Sequence, residues 1–428
     1  MKIAKKIALA LLLIASLYGT GRFAMVAYDS YVFLPRQPYL QMQTQNSITL
    51  KWQTPKEEIG SVDYADSLHP RDVLHVSEKK ASRYHFLSIE GLKPDTSYFY
   101  RVNASSLKID NTERVFCTLN TKKDLERVWL VGDTGEDSDK QKYVYSQMLK
   151  YIDNNLSKID MWVMLGDNAY TSGTQKQFNK DLFNPYKELI KQKNIWAVIG
   201  NHDARRWAFY DIFDFPTKGE SGGAASKSEK YYSIDEANFH LVMLDSETED
   251  RSANGKMAQW LKKDLAANKK NWTIVAFHHP PYTDGSHKSN NPKDSGGRMK
   301  EMRENFIPIF DKYDVDLVIS GHSHVYERSR PMLNHTGDSK GFNEALHVKE
   351  MNLQSYMKPL AKTPNSGVIY IVNGSGSKAD SGDFKIPELP IGYSVSGSVI
   401  LEVTPTSLSE KFLSDRGEIK DSFTITKH

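Results

Sequence analysis

Five short segments carry side chains able to bind hard metal ions, in this order along the chain: Gly132-Asp133-Thr134-Gly135, Gly166-Asp167-Asn168-Ala169-Tyr170, Gly200-Asn201-His202-Asp203, Val275-Ala276-Phe277-His278 and Gly321-His322-Ser323-His324. Carboxylate, amide oxygen, phenol and imidazole are ligands for iron, zinc or manganese, and one carboxylate can bridge two ions roughly 3.5–4 Å apart. A pair of ions held this way polarises a substrate oxygen and activates water for hydrolysis. Taken singly, an Asp after a strand is often a helix N-cap and a His a core residue. Five such blocks in one chain point instead to a common site.

Each block follows a short apolar run, at 128–131, 161–165, 195–199, 272–277 and 316–320. Runs of this length read as buried strands. Glycine after four of the five lets the chain turn sharply, so that the next side chain projects from the carboxyl end of a sheet. Residues 141–156 carry Val144, Met148, Tyr151, Ile152 and Leu156 at helical spacing, and 256–265 and 299–313 repeat the pattern. Strands alternating with helices predict an α/β sandwich, two sheets flanked by helices. The stretches 368–373, 398–403 and 407–413 return to strand patterning and complete a sheet.

The five blocks, the second of them Gly-Asp-x-x-Tyr, resemble the calcineurin-like metallophosphoesterases and, within these, the purple acid phosphatases. Tyr170 is the discriminating residue, and the resemblance spans about 126–404. It implies that Asp133, Asp167, Tyr170 and His324 hold a ferric ion, with Asp167 bridging to a divalent ion (Zn, Fe or Mn) held also by Asn201, His278 and His322. It further implies outer-sphere roles for His202 and His287, which would steady the phosphate and supply a proton to the leaving oxygen. Where the family often has a further histidine after His287, this chain has Lys288; His279, ahead of Pro280-Pro281, is expected to shape the turn.

The function so implied is a binuclear-metal acid phosphatase that hydrolyses phosphomonoesters, small phosphate esters being its partners, by in-line attack of a metal-bound hydroxide. The alternatives are a phosphodiesterase or nucleotide hydrolase with the same centre, and a non-catalytic binding protein of the cell envelope.

Ahead of the blocks the pattern changes. Residues 47–52, 84–89 and 97–102 alternate apolar and polar positions between polar turns, as in a β-sandwich. The run 92–102, Leu-Lys-Pro-Asp-Thr-Ser-Tyr-Phe-Tyr-Arg-Val, resembles a fibronectin type III strand and its approach, with Trp52 as core tryptophan. An all-β fibronectin III-like domain is therefore expected at 35–121, before a catalytic domain at 126–428, as a scaffold covering one side of it.

With 428 residues, 39% hydrophobic and 25% charged, the chain has room for two globular domains. Its formal charge of +3 owes four positive charges to Lys2, Lys5, Lys6 and Arg22, so the remainder gives no case for nucleic-acid binding. The basic start followed by apolar 7–17 has the form of a secretory signal peptide over 1–27, shorter than the span of about 20 residues that crosses a bilayer. A periplasmic or secreted protein is expected, associated with a membrane only if residues 7–17 remain as an anchor. The single cysteine, Cys117, cannot form an intramolecular disulfide and is read as a small buried hydrophobe.

Two stretches interrupt this scheme. Residues 218–230 (Gly, Ser and Lys) and 331–365 (polar, without periodicity) read as long loops of the kind used as lids or binding segments. Arg205 and Arg206 could meet extra anionic groups of a substrate, although solvated surface charge is the simpler reading. Gly374-Ser375-Gly376-Ser377 lacks the Lys-Ser/Thr ending of a phosphate loop.

Overall fold

The computed structural model describes residues 16–21, 23–25, 28, 32–110 and 114–428. The expected signal or anchor segment therefore lies largely outside the described residues. No helix among the described residues is long and apolar enough to cross a membrane.

The strands Glu126–Val131, Met161–Met164 and Ile195–Ala197 are neighbours in one sheet and run parallel. Their side chains are buried almost throughout, because one face meets helices and the other a second sheet. This sheet continues, antiparallel, through Gly397–Val403, Ser407–Ser414 and Ile419–Lys427, and ends on Ser355–Lys358. The second sheet also has seven strands, in the order Tyr232–Asp235, Phe239–Met243, Trp272–Phe277, Leu317–Ser320, Ile369–Asn373, Tyr326–Arg328, Ile391–Tyr393. The main core includes Trp129 and Trp162, which pack with Tyr145 of the covering helix and with Tyr186, and, on the other face of the first sheet, Leu130, Trp196 and Leu401 with Ile274 and Ile319 of the second.

Helices cover the outer faces. Asp139–Tyr151 is capped by Ser138, whose side chain accepts from Gln141 N, and buries Gln141, Val144 and Met148. Lys256–Ala267 and Arg298–Lys312 lay Met257, Leu261, Leu265, Met302, Phe306 and Phe310 on the back of the second sheet, against Val242, Val275 and Val318. The α/β sandwich read from the sequence is present.

The N-terminal part forms a three-stranded sheet (Arg36–Gln41, Ser47–Glu58, Ser82–Glu90) facing a four-stranded one (Leu74–Ser77, Ser61–Asp66, Ser97–Asn103, Val115–Cys117). Trp52 lies in its core and stacks on His85 at 4.6 Å. This sandwich is bound to the α/β part: the Tyr39 hydroxyl donates to Ile212 O (2.8 Å), the Tyr100 hydroxyl to Lys191 O (2.8 Å) and Ser221 Oγ to Gln43 O (2.7 Å).

Two expectations are corrected. Residues 331–365 are not a structureless loop, since they contain the helix Glu344–His347 and the strand Ser355–Lys358, which pairs parallel with Ile419–Lys427. Four residues alternating in burial are too few to announce themselves in a polar stretch. The strand is pinned by Lys358, buried with its ammonium 2.8 Å from Asp314 and 2.7 Å from Asp316. Cys117 is only half-buried, at the end of an edge strand, with its sulfur 3.0 Å from Ser97 Oγ.

Candidate metal centre

All five blocks sit at the carboxyl ends of parallel strands, three in the first sheet and two in the second. The strands end side by side, so the turns after them meet across the gap between the sheets. Asp133, Asp167 and His322 turn there with φ of 56°, 52° and 69°, left-handed conformations that are uncommon outside glycine and concentrate at functional sites. Gly166 is needed for a different reason than turning alone: a side chain on it would collide with the His278 ring, and one on Gly321 with the Asp133 carboxylate.

The Tyr170 hydroxyl donates to Asp133 Oδ1 (3.0 Å) and lies 3.3 Å from His324 Nε2. The His322 N–H donates to Asp133 Oδ2 (2.7 Å). His278 Nδ1 donates to Leu165 O (2.8 Å), which turns Nε2 inward, 3.2 Å from Asn201 Oδ1 and 3.5 Å from Asp167 Oδ1. Ligand atoms of Asp133, Asp167 and His278 lie within 4.8 Å of one another, as do those of His278, His279 and His322. The structure thus brings Asp133, Asp167, Tyr170, Asn201, His278, His322 and His324 to one place.

The donor set fits metal ions. Asp133 and Asp167 are 0% and 2% exposed, yet among the described residues no Lys or Arg lies within ion-pair distance of either. Buried carboxylates without a cation are costly. In the protein alone the positive charge is supplied by His278: burial opposes it, but Asp167 pushes the imidazole up to about 10. Burial and the neighbouring imidazoles hold His322 well below its ordinary value, hence neutral and able to ligate. Burial, then Asp133 and Asp167, push the Tyr170 phenol well above its usual range.

Both outer histidines reach the centre. The His202 N–H donates to Asp167 Oδ1 (2.8 Å), its Nδ1 lies 2.7 Å from Thr171 O, and its Nε2 faces Asp167 Oδ2 at 3.9 Å. His287 stacks on His322 with ring centroids 3.9 Å apart and is fixed through Nδ1 by Asp294 Oδ1 at 2.8 Å. Lys288 is turned to Asp383 (2.6 Å) and Asp284 (3.1 Å). His279 is buried against His322 at 4.4 Å, with Nδ1 3.0 Å from Ser246 Oγ.

Several supporting residues went unread in the sequence. Asp203 is fully buried and accepts from the N–H groups of Gly200 (3.0 Å), Asn168 (2.9 Å) and Ala169 (3.2 Å), tying the second and third blocks together. Burial, then Asp167, raise its carboxyl to about 7. Its place beside His202 was the available signal. Asp380 Oδ2 accepts from His324 Nδ1 (2.6 Å), Ser295 Oγ lies 2.6 Å from His322 Nε2, and the Lys378 ammonium sits 4.4 Å above the Tyr170 ring. These three come from remote loops and gave no signal. The Gly374 to Ser377 turn instead packs on the first block, where the Gly376 N–H donates to Gly132 O at 3.0 Å.

Comparison with known proteins agrees with this geometry. Residues 126–326 match the calcineurin-like phosphoesterase family, and 35–118 the purple acid phosphatase N-terminal domain. The match of 126–326 identifies a calcineurin-like phosphoesterase domain, and the comparisons support a metal-dependent phosphoric ester hydrolase with a binuclear metal centre. With the N-terminal match included, the two-domain arrangement is similar to that of the purple acid phosphatases. Purple acid phosphatase 21 of Arabidopsis thaliana is 26% identical over 74% of this chain and 71% of its own length. Purple acid phosphatase 22 of the same plant is 30% identical over 61% of this chain, but only 57% of its own length is spanned. The structure of purple acid phosphatase PPD1 from yellow lupin (Lupinus luteus) seeds shares the fold, with a TM-score of 0.69 at 17% identity, covering 92% of this chain and 74% of that one. PhoD follows with a TM-score of 0.63 at 13% identity, over 91% and 90% of the two chains.

Proposed function

We propose that this protein is an acid phosphatase acting on small phosphomonoesters, with 126–428 as its catalytic domain and 35–121 as a supporting scaffold. The observation that carries the reading is the pair of buried carboxylates, Asp133 and Asp167, ringed by neutral or ionisable ligands and, among the described residues, without a Lys or Arg partner. Asp133, Asp167, Tyr170 and His324 would hold Fe(III). Asp167, Asn201, His278 and His322 would hold a divalent ion, Zn, Fe or Mn. Two ions bound there supply Lewis acidity to the phosphoryl oxygens and acidify water for in-line attack on phosphorus.

The protein's own groups do the rest. With Nδ1 engaged by the Thr171 carbonyl, His202 keeps Nε2 toward the centre, placed to hand a proton to the leaving oxygen. Burial lowers the His202 imidazole, with Asp167 partly offsetting it, so this proton is carried in acid solution. That direction supports an acidic optimum. His287, fixed through Nδ1 by Asp294, has Nε2 left to donate to a phosphate oxygen. Export from the cytoplasm is supported by the sequence of residues 1–27.

Metal analysis and a visible spectrum of the purified protein, with p-nitrophenyl phosphate and bis(p-nitrophenyl) phosphate assayed from about pH 4 to 9, test the reading. Iron, a broad visible band and acid monoesterase activity are expected. Two divalent ions, no colour and a diester preference would replace it with the diesterase alternative, and metal content without turnover of either ester with the binding-protein alternative.

A further inference from the structure

The cations around the centre are not equivalent. Lys288 is neutralised by Asp284 and Asp383, Lys378 by Glu136 (2.6 Å) and Arg298 by Glu247 (2.8 Å). Arg205 differs: it is exposed, and among the described residues no carboxylate lies within ion-pair distance of it. Its Nη1 donates instead to Thr171 O at 2.8 Å, the same carbonyl that His202 Nδ1 approaches at 2.7 Å. One backbone oxygen therefore holds the guanidinium beside the imidazole that faces Asp167. Arg206, whose Nη1 donates to Arg205 O (2.8 Å), has no carboxylate partner among the described residues either.

Resting on the phosphatase reading above, we propose that Arg205 is a specificity-determining residue that binds the distal phosphoryl group of a diphosphate, so that phosphoanhydrides are favoured over simple monoesters. Among the described residues, Arg205 is a cation that shares a backbone partner with His202 and meets no carboxylate. A guanidinium with one N–H fixed loses less rotamer freedom on binding and still presents a planar fork, which matches two phosphate oxygens. A monoester with a neutral leaving group leaves that fork unused. In a diphosphate the second anionic group stands one bridging oxygen from the attacked phosphorus, on the side where His202 meets the leaving oxygen. On the other flank Lys288, where the family often has a histidine, is spent on Asp284 and Asp383.

The step is ordinary hydrolysis. A bond forms from the water oxygen to the attacked phosphorus, and the bridging P–O bond breaks. Its electron pair leaves on the bridging oxygen with the other phosphate, which takes a proton from His202; the water proton goes to solvent.

The test compares the wild type with Arg205→Ala and Arg205→Lys, using inorganic pyrophosphate and p-nitrophenyl phosphate as substrates. The metal-loaded proteins are also titrated calorimetrically with methylenediphosphonate and with inorganic phosphate, with metal content checked afterwards. For Arg205→Ala the ratio of kcat/KM, pyrophosphate over monoester, should fall at least about tenfold, and methylenediphosphonate should weaken at least about tenfold more than phosphate does. Arg205→Lys should restore part of both. Equal losses on both substrates and both ligands, or none, overturn the proposal. If the wild type turns over neither substrate, the phosphatase reading fails, and the calorimetric ratio alone decides whether Arg205 binds the second phosphoryl group.

Discussion

His278 donates from Nδ1 to the carbonyl of Leu165, 2.8 Å away on the other sheet, and this one bond aims Nε2 at Asn201 and Asp167. The contact joins a residue after a strand of the second sheet to one after a strand of the first, so the ligand geometry depends on how the sheets are packed.

Tyr170→Phe removes the hydroxyl that donates to Asp133 but keeps the ring, which lies 4.5 Å from the His202 ring. If Tyr170 is a phenolate ligand of Fe(III), the variant should fold and lose its visible charge-transfer band. Retained colour in the absorption spectrum would remove Tyr170 from the ligand set.

Asp380 stands 56 residues from His324 and fixes its Nδ1. Carboxylate partners of metal-binding histidines orient the ring and raise its basicity, and Asp380→Asn should cost about 10–100-fold in metal affinity or activity. Competition for iron with a chelator, before and after the substitution, measures this directly.

Asp203 gathers three backbone N–H groups from two blocks. Asp203→Ala leaves these donors buried without an acceptor, for a loss of about 1–3 kcal/mol in urea-induced unfolding. Asp203→Asn, which keeps one acceptor oxygen, should lose less. Equal stability of Ala and Asn variants would argue against the hydrogen bonds as the cause.

Glu126 and Glu236 form a buried carboxylate pair where the linker from the N-terminal sandwich meets both sheets. Asn238 N donates to Glu126 (3.0 Å) and Asn120 N to Glu236 (2.9 Å), while Glu126 Oε1 and Glu236 Oε2 have no hydrogen-bond partner among the described residues. Burial pushes Glu126 up to about 7, and burial with Glu126 pushes Glu236 up to about 8. Groups whose folded values are raised hold protons that the unfolded chain has released, so stability should fall as pH rises from about 4.5 to 8. Glu236→Gln should flatten that decline in a Tm series and raise Tm at the alkaline end. An unchanged slope would show that the pair does not titrate in this window.

The five blocks, the strands before them and the three long helices were legible because each is a local pattern: an apolar run, a glycine, a ligand, or a stripe at helical spacing. The strand Ser355–Lys358 was not, being a sheet edge whose only buried charge, Lys358, acquires its meaning from Asp314 and Asp316, 44 and 42 residues earlier in the chain. Lys288 in the sequence was merely a missing histidine. In the structure it is a clasp to Asp284 and Asp383, while Arg205, beside His202, meets no carboxylate among the described residues.

By itself the sequence determined which residues could serve as ligands and that each would stand at the end of a strand, since ligand chemistry and strand patterning are both properties of a few consecutive residues. Only the tertiary structure decided which nitrogen of His278 and His324 faces the centre and which cations around it remain unpaired. Those outcomes depend on Leu165 O, Asp380, Asp383 and Glu136, whose distances from their partners are set by the packing of two sheets and not by position along the chain.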